Sequence, residues 1–138
     1  MKDRIGAIYI AMAVVSIPLA HAQAACAASD LEGRWEAYAI GDDFGFGYWQ
    51  RCSLRIDNRG RFRSGSKCRE NDGDKSTLSS SDLRLKRSCI LTGSLRQTFG
   101  GTSFRCDIHA TLSADKQILS GVGECDDGDI FLFNMVRR

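Results

Sequence analysis

The amino-acid sequence predicts an all-β protein, an eight-stranded antiparallel up-and-down barrel stapled by disulfides. Successive segments alternate apolar and polar side chains with a period of two, which is the pattern of a half-buried strand. Turns rich in glycine, asparagine and aspartate separate these segments, and no amphipathic helix is evident in the sequence. Eight consecutive antiparallel strands can close on themselves and so remove their exposed edges. An open sandwich of two sheets is the alternative.

The first 24 residues are predicted to be a secretory signal peptide, and residues 25–138 a single β-barrel domain. A positively charged start precedes an apolar run over residues 5–19, and small residues follow that run. A membrane anchor fits less well because a spanning helix needs about 20 apolar residues. Lipidation of Cys26 would leave an odd number of cysteines in an exported protein. We therefore expect a secreted or periplasmic product whose mature chain has no transmembrane segment.

The predicted strands follow in order from the alternation and the turns, and they span residues 31–40, 48–56, 61–68, 83–85, 89–96, 102–112, 117–125 and 129–137. The first strand carries a Gly-x-Trp, in which the glycine allows close packing and the tryptophan can plug a barrel floor. The second strand alternates inward Gln50, Cys52 and Leu54 with outward polar residues. Residues 57–60 then turn the chain into the third strand.

The rest of the chain continues the same pattern with shorter or longer connections. Residues 69–81 are predicted to be a solvated loop because Asn, Asp, Gly and Ser dominate them. The sixth strand places Cys106 and Ile108 on its inward face, and a turn at residues 113–116 follows it. The last hairpin turns at residues 126–128, where Asp-Asp-Gly is a strong hairpin signal.

At this level the chain resembles the calycin-like barrels, which include lipocalins, avidins and the small bacterial inhibitors of serralysin-type metalloproteases. The elements that carry the resemblance are Gly33-Arg34-Trp35, the hairpin Ile56…Gly60-Arg61-Phe62, and the terminal Arg137-Arg138. Many lipocalins pack a late arginine against the first-strand tryptophan, so the resemblance implies structural roles for Gly33, Trp35 and Arg137. Trp49 is the only other tryptophan, and biotin binding of the avidin kind is therefore not expected.

Six cysteines in an exported chain of this size indicate three disulfides. The barrel geometry brings cysteines of neighbouring strands together across two hairpins, although the first pair needs a bulge or local twist. The two remaining cysteines lie at the end of the barrel where the odd-numbered strands begin. The hypothesis is the set of pairs Cys52–Cys68, Cys106–Cys125 and Cys26–Cys89.

The sequence offers little support for catalysis, and we expect no enzyme activity, no cofactor and no metal. The mature chain has one histidine, His109, which is predicted to point outward on its strand. The pairs Asp42-Asp43 and Asp126-Asp127 are explained by turn formation. The formal net charge is only +2, so no strong electrostatic field attracts nucleic acid.

Two sets of residues are candidate binding surfaces. One is an aromatic set around the open end of the barrel, predicted to contact a ligand: Phe44, Phe46, Tyr48, Trp49 and Phe99. An eight-stranded barrel can instead be filled by its own side chains, and the inward candidates for that are Phe62, Phe104, Phe131, Phe133 and Met135. The other is an arginine face that could meet an anionic partner, namely Arg51, Arg55, Arg59, Arg61 and Arg63; a merely solvated face is the alternative.

The sequence thus predicts a secreted or periplasmic, non-catalytic, monomeric binding protein with a lipocalin-like barrel. Its partner would be a small apolar ligand or a protein, taken at the open end. One alternative is a protease inhibitor resembling the serralysin-type inhibitors, which insert an N-terminal tail into the enzyme cleft. Another is an envelope structural protein that uses the arginine face.

Overall fold

The computed structural model describes residues 25–43, 45–80 and 82–138. The predicted signal peptide and Phe44 lie outside the described residues. One short 3-10 helix and nine strands make up the described part: the helix Ala28–Leu31, then β1 Gly33–Asp43, β2 Phe46–Ile56, β3 Lys67–Glu70, β4 Lys75–Ser80, β5 Arg84–Leu85, β6 Ile90–Phe99, β7 Thr102–Leu112, β8 Ile118–Cys125 and β9 Ile130–Arg137. Among these residues, none forms a helix with the length and apolar character that a membrane crossing requires.

Eight of the strands close into an antiparallel barrel. The hydrogen-bonded order runs β4-β3-β2-β1-β9-β8-β7-β6, and β4 then pairs with β6 to complete the circle. In that closing pair Leu78 lies opposite Gln97. The two-residue strand β5 pairs with the far end of β6 and extends the sheet without entering the closed ring. The predicted barrel is confirmed, and the sandwich alternative is wrong.

The third and fourth barrel strands differ from the prediction. The return strand predicted over residues 61–68 shortens to an isolated bridge between Ile56 and Phe62, and β3 begins only at Lys67. The fourth barrel strand is Lys75–Ser80, inside the stretch predicted to be a solvated loop. The alternation rule missed β4 because its inward positions include Ser76, which is buried and accepts a hydrogen bond from a buried glutamine.

The inward positions of the strands form one continuous core, as the alternation predicts. On β2 the pattern is strict, since Cys52, Leu54 and Ile56 are buried while the residues between them are exposed. On β9 Phe131, Phe133 and Met135 are buried in the same way. Phe131 fits because Gly123 faces it from β8, where any Cβ would overlap the phenyl ring.

The floor of the barrel is built around Trp35, which is only 1% exposed. Its indole Nε1 donates a hydrogen bond to the carbonyl oxygen of Leu31 (2.8 Å). The Arg137 guanidinium lies over the indole ring, 4.5 Å from the ring centroid, which is a cation–π distance. Gly33 has a φ of +137°, and a Cβ there would lie 3.0 Å from Arg137 Nη1. The three residues thus form the closed end in the arrangement that the sequence analysis expects.

The guanidinium of Arg137 also ties three chain segments to the floor. It donates hydrogen bonds to the carbonyl oxygens of Asp30, Glu32 and Lys116. These carbonyls belong to the segment before β1 and to the β7–β8 turn. One side chain therefore holds the N-terminal segment, the last strand and a distant turn in a single arrangement.

The three disulfides join the cysteines in the pairs that the sequence analysis expects. Two of them link directly opposite residues, Cys52 with Cys68 and Cys106 with Cys125. Residues 63–66, between the Ile56–Phe62 bridge and β3, form the bulge that the first pair was predicted to need. The β7–β8 turn, residues 113–117, is one residue longer than predicted and contains Lys116 with a left-handed φ of 60°.

Candidate functional site

The open end of the barrel lies opposite the Trp35 floor, where four hairpin turns meet. These turns join β1 to β2, β3 to β4, β6 to β7 and β8 to β9. Between them lies a cavity of about 460 Å³, here called the open-end cup. Its wall contains four aromatic side chains, Phe46, Tyr48, Phe99 and Phe104, and five carboxylates, Glu70, Asp72, Asp74, Asp127 and Asp129.

Tyr48 anchors one wall of the open-end cup. Its hydroxyl donates a hydrogen bond to the Asp129 carboxylate. The ring lies against Gly41 of the paired strand, where a Cβ would come within 2.5 Å of the phenol. Burial, and after it the neighbouring Asp129 carboxylate, raise the pKa of Tyr48 above its usual value. Tyr48 is therefore a neutral hydrogen-bond donor at physiological pH.

The carboxylates of the cup come from two turns of similar composition. Asp74 N donates to Asp72 Oδ1 (2.9 Å) in the β3–β4 turn, and Asp129 N donates to Asp127 Oδ1 (3.2 Å) in the β8–β9 turn. Each aspartate pair is thus held by the turn chemistry for which Asp is favoured. Because both turns lie at the same end of the barrel, the rim of the cup carries a concentration of negative charge.

A layer of polar side chains separates the cup from the barrel interior. Gln97 Nε2 donates to Gln50 Oε1 (3.0 Å) and to Ser76 Oγ (2.9 Å), and all three residues are buried. Below this layer lies an almost wholly apolar cavity of about 60 Å³. Sites for drug-sized molecules are roughly 300–1,000 Å³, so the interior holds a few small atoms at most. Its own side chains fill the barrel.

The structure brings together three residues of the predicted aromatic set and separates a fourth. Phe46, Tyr48 and Phe99 line the open-end cup. Trp49 points outward from β2 and is 53% exposed, so it lies on the outer surface of the barrel. Phe104, which the sequence analysis assigned to the core, lines the cup. It occupies an inward position near the beginning of β7, and inward side chains there lie at the mouth of the barrel.

The cup carboxylates were missed as site residues because each looked like an ordinary turn residue. The available signal was the recurrence of Asp-rich turns in hairpins that open at the same end. The acid pairs weighed for catalysis accept backbone hydrogen bonds: Asp42 Oδ1 accepts from Gly45 N (2.5 Å) within the β1–β2 turn, and Asp126 Oδ1 accepts from Arg105 N (3.1 Å) on β7. Within the described residues, no group of three or more His, Cys, Asp or Glu is arranged to hold a metal ion.

The predicted arginine face is kept in part, because Arg63 N donates a hydrogen bond to Arg55 O (2.7 Å) and these two residues lie side by side. Arg51 pairs with Glu36 and lies 5.8 Å from the Tyr38 ring centroid, whereas Arg61 pairs with Asp57 (3.1 Å) in the β2–β3 connection. Arg55, Arg59 and Arg63 are exposed. The sequence analysis placed Arg61 and Arg63 on a strand beside β2, but both lie in the irregular connection before β3.

A different basic row lies on the outer face of β2, β3 and β4. Arg51 lies opposite Arg69, and Arg69 lies opposite Lys75. Lys67 is beside them, and the groove that they line reaches Trp49. The sequence analysis missed this row because it depends on the bulge that sets the β2–β3 register and on the unpredicted strand β4.

Known proteins match this chain by structure and not by sequence. No protein-family model and no curated protein matches it. The redesigned β-barrel mFAP1, solved bound to DFHBI, is similar with a TM-score of 0.61 and 16% identity, covering 80% of this chain and 98% of that one. For mFAP0, also bound to DFHBI, the values are 0.57, 14%, 78% and 99%. For the redesigned barrel b11L5F_LGL they are 0.54, 16%, 81% and 95%. At these identities the likeness shows the eight-stranded barrel fold alone.

Proposed function

We propose that the protein is a secreted or periplasmic, non-catalytic binding protein that takes a small ligand in the open-end cup. The observation that carries the proposal is the lining of the cup, where four aromatic side chains meet at the mouth of a barrel whose interior is filled. Volume alone does not distinguish the cup, because the groove beside Trp49 is about 810 Å³. The cup, at about 460 Å³, has the size of a small-molecule site. The interior, at about 60 Å³, lies beneath the hydrogen bonds of Gln97. A ligand therefore binds at the mouth of the barrel. In a barrel with a hollow interior it would bind more deeply.

The lining of the cup indicates the chemistry of the ligand. Phe46, Phe99 and Phe104 offer ring surfaces to a flat apolar or aromatic body. The carboxylates around them repel an anion and favour a neutral or positively charged group. The proposed ligand is accordingly a small aromatic or apolar molecule, neutral or carrying a basic nitrogen.

Three further observations support the proposal. Two designed barrels of similar fold have a small molecule, DFHBI, bound. The resemblance of the floor residues to those of calycin-like barrels suggests the same kind of activity. The three disulfides and the predicted leader are typical of a protein that functions outside the reducing cytoplasm.

A pair of dyes of opposite charge tests the proposal. Thioflavin T is a cationic aromatic dye that fluoresces when its rings are immobilised, and 1-anilinonaphthalene-8-sulfonate is an anionic aromatic dye. We expect thioflavin T to bind and its fluorescence to rise, while the anionic dye gives little signal. Phe99→Ala and Phe104→Ala should each weaken thioflavin T binding about tenfold or more, since each removes an aromatic wall.

Trp49→Ala is the matched control, because it removes an exposed aromatic side chain outside the cup. It should leave thioflavin T binding unchanged. If Trp49→Ala abolishes binding and the two phenylalanine variants do not, the ligand site lies on the outer surface and the proposal is wrong. Absence of binding by either dye, together with native mass spectrometry that finds no molecule retained by protein purified from its host, would also overturn it.

The two alternative functions have less support. A serralysin-type inhibitor needs a free N-terminal tail, but Cys26 is bonded to Cys89 and Leu31 is buried against the floor. Residues 26–31 are therefore held at the closed end. An envelope role through the arginine face has less support because two of its five arginines, Arg51 and Arg61, are already paired with Glu36 and Asp57.

A further inference from the structure

Three neighbouring strands, β1, β9 and β8, present large apolar side chains to the outside of the barrel. Seven such residues, here called the outer apolar face, have relative exposures of 44–60%: Tyr38, Ile40, Ile118, Val122, Ile130, Leu132 and Val136. Their neighbours along each strand point inward and are buried. β9 is therefore apolar on both of its sides, which an isolated barrel with one solvated surface does not require.

The strand register arranges the outer apolar face in rows. Ile40 lies opposite Leu132, and Leu132 lies opposite Val122. Val136 lies opposite Ile118 on the other side of the central row Tyr38–Asn134–Ser120. Ser120 Oγ donates a hydrogen bond to Asn134 Oδ1 (2.6 Å) in that central row. The face thus consists of two apolar rows on either side of this polar pair, with Tyr38 of β1 between them.

The exposed area is large for a monomer and suited to a dimer. A half-exposed side chain of this size exposes roughly 100 Å², so the seven together expose on the order of 700 Å². The largest apolar patch on a typical monomer is about 300–600 Å². A standard protein–protein interface buries about 800 Å² on each partner. The outer apolar face and its polar margin match that size.

Charges at the two ends of the face are of opposite sign. Asp42 on β1 and Glu124 on β8 lie at the end nearer the open cup and are exposed. Arg34 on β1 is exposed at the end nearer the floor, where Lys116 and Arg138 are ion-paired with Asp30 and Glu36. Arg34 makes no ion pair with any described residue. A surface with such a gradient is complementary to its own inverted copy.

We propose that the outer apolar face is the interface of a homodimer with two-fold symmetry. A two-fold axis that lies along the row Tyr38–Asn134–Ser120 sets the strands of the two copies antiparallel across the interface. It places Leu132 against the partner's Val136, and Ile118 against the partner's Val122. It also places Asp42 against the partner's Arg34. Such an isologous contact uses the same patch twice and closes without further growth.

A lipid surface fits the face less well than a second copy does. Anionic lipid attracts basic residues beside an apolar patch, but Asp42 and Glu124 border this patch at one end. The basic row of β2, β3 and β4 lies to one side of it around the barrel. The exposed Asp42 at one end of β1 and the exposed Arg34, unpaired among the described residues, at the other favour self-association, which departs from the monomer predicted from the sequence.

The experiment is sedimentation velocity of the oxidised protein over about 1–100 µM, a range that contains the dissociation constants of typical weak homodimers. We expect a concentration-dependent shift to twice the monomer mass. Leu132→Lys should raise the dimer dissociation constant at least tenfold, because it buries a charge in the centre of the contact. Thr77→Lys, an exposed position on β4 outside the face, is the matched control and should leave association unchanged.

A charge exchange tests the orientation. Asp42→Arg should weaken the dimer because it opposes the partner's Arg34, and Arg34→Asp should weaken it by the same reasoning. The double variant restores both pairs and should recover most of the affinity. Near-ultraviolet circular dichroism of each variant confirms that the barrel stays folded.

The proposal is wrong if the wild-type protein stays monomeric at 100 µM, or if it dimerises equally well as Leu132→Lys. Failure of the double variant to recover affinity refutes the antiparallel arrangement. Binding of the monomer to phosphatidylglycerol vesicles without self-association would assign the face to lipid and also refute the homodimer.

Discussion

Replacement of Arg137 by lysine tests the account of the barrel floor. The change keeps the positive charge and most of the aliphatic stem, but it removes the planar fork. In the structure this fork donates to three carbonyl oxygens from two separate segments and lies over Trp35. A lysine ammonium at the same place can satisfy one of these carbonyls in good geometry. The other two lose charge-assisted hydrogen bonds.

The expected loss follows from those contacts. A hydrogen bond to a charged group contributes about 1.5–3 kcal/mol, so two lost bonds correspond to about 3–6 kcal/mol. Arg137 is only partly buried, and water can reach some of the carbonyls left behind. We therefore expect Arg137→Lys to lower the free energy of unfolding by about 3 kcal/mol, which corresponds to a Tm lower by roughly 12 °C in a domain of this size.

The assay is equilibrium unfolding in urea, followed by tryptophan fluorescence, which reports on the exposure of the buried Trp35 because Trp49 is already half exposed in the folded state. Arg84→Lys, an exposed arginine on β5, is the control and should change stability by less than about 0.5 kcal/mol. An Arg137→Lys protein within about 0.5 kcal/mol of the wild type would refute the role assigned to the guanidinium fork.

Two further predictions concern the disulfides and the loss of stability at low pH. The Cys26–Cys89 disulfide closes a loop with a sequence separation of 63, against 16 for Cys52–Cys68. When each pair is replaced by serine, chain entropy therefore predicts that the free energy of unfolding falls by about 4 and 3 kcal/mol, respectively. Denaturant unfolding that ranks the two variants in the opposite order would contradict this account. The pKa of Glu36 is held below its ordinary value, chiefly by the hydrogen bond from Arg51, and that of Asp30 chiefly by Lys116. The folded protein therefore takes up these protons at lower pH than the unfolded chain does. The contribution of these two carboxylates to the free energy of unfolding is fully present above about pH 5 and is lost as the pH falls below 4. In thermal unfolding at pH 3 to 6, the Tm of Glu36→Gln should fall less steeply with decreasing pH than the Tm of the wild type. Parallel curves of Tm against pH would refute the assignment.

The candidate site shows where residue-by-residue prediction works and where it stops. Phe46, Tyr48 and Phe99 could be placed at the open end because loop position alone decides which end of a barrel a turn occupies. Trp49 could not be separated from them without knowing which face of β2 its side chain lies on. It is next to Tyr48 in the chain, and successive residues of a strand face opposite ways. Phe104 was assigned to the core because the alternation rule reports that a side chain points inward but not how deep it lies.

Strand β4 is the clearest failure of pattern analysis. Its buried Ser76 hydrogen-bonds to Gln97, which also hydrogen-bonds to Gln50, and the three form a polar layer inside the barrel. The segment therefore lacks the apolar alternation of an ordinary half-buried strand. A polar interior position becomes favourable only when its partners arrive from other strands. That information lies in the tertiary contacts, 21 and 47 residues apart in sequence.

The roles of Gly33, Trp35 and Arg137 were implied by the resemblance to calycin-like barrels, and the cysteine pairs were a hypothesis. The sequence by itself determined the all-β class, an antiparallel barrel of eight strands and, from the number of cysteines, three disulfides. These features depend on side-chain periodicity, on turn composition and on which strands are neighbours, all of which are local or nearly so. Only the tertiary structure decided the registers, the basic row, the carboxylates that meet at the cup and the arrangement of the outer apolar face. Each of these depends on residues opposite one another across strands, and a shift of one or two residues in a turn or bulge changes every such pairing at once.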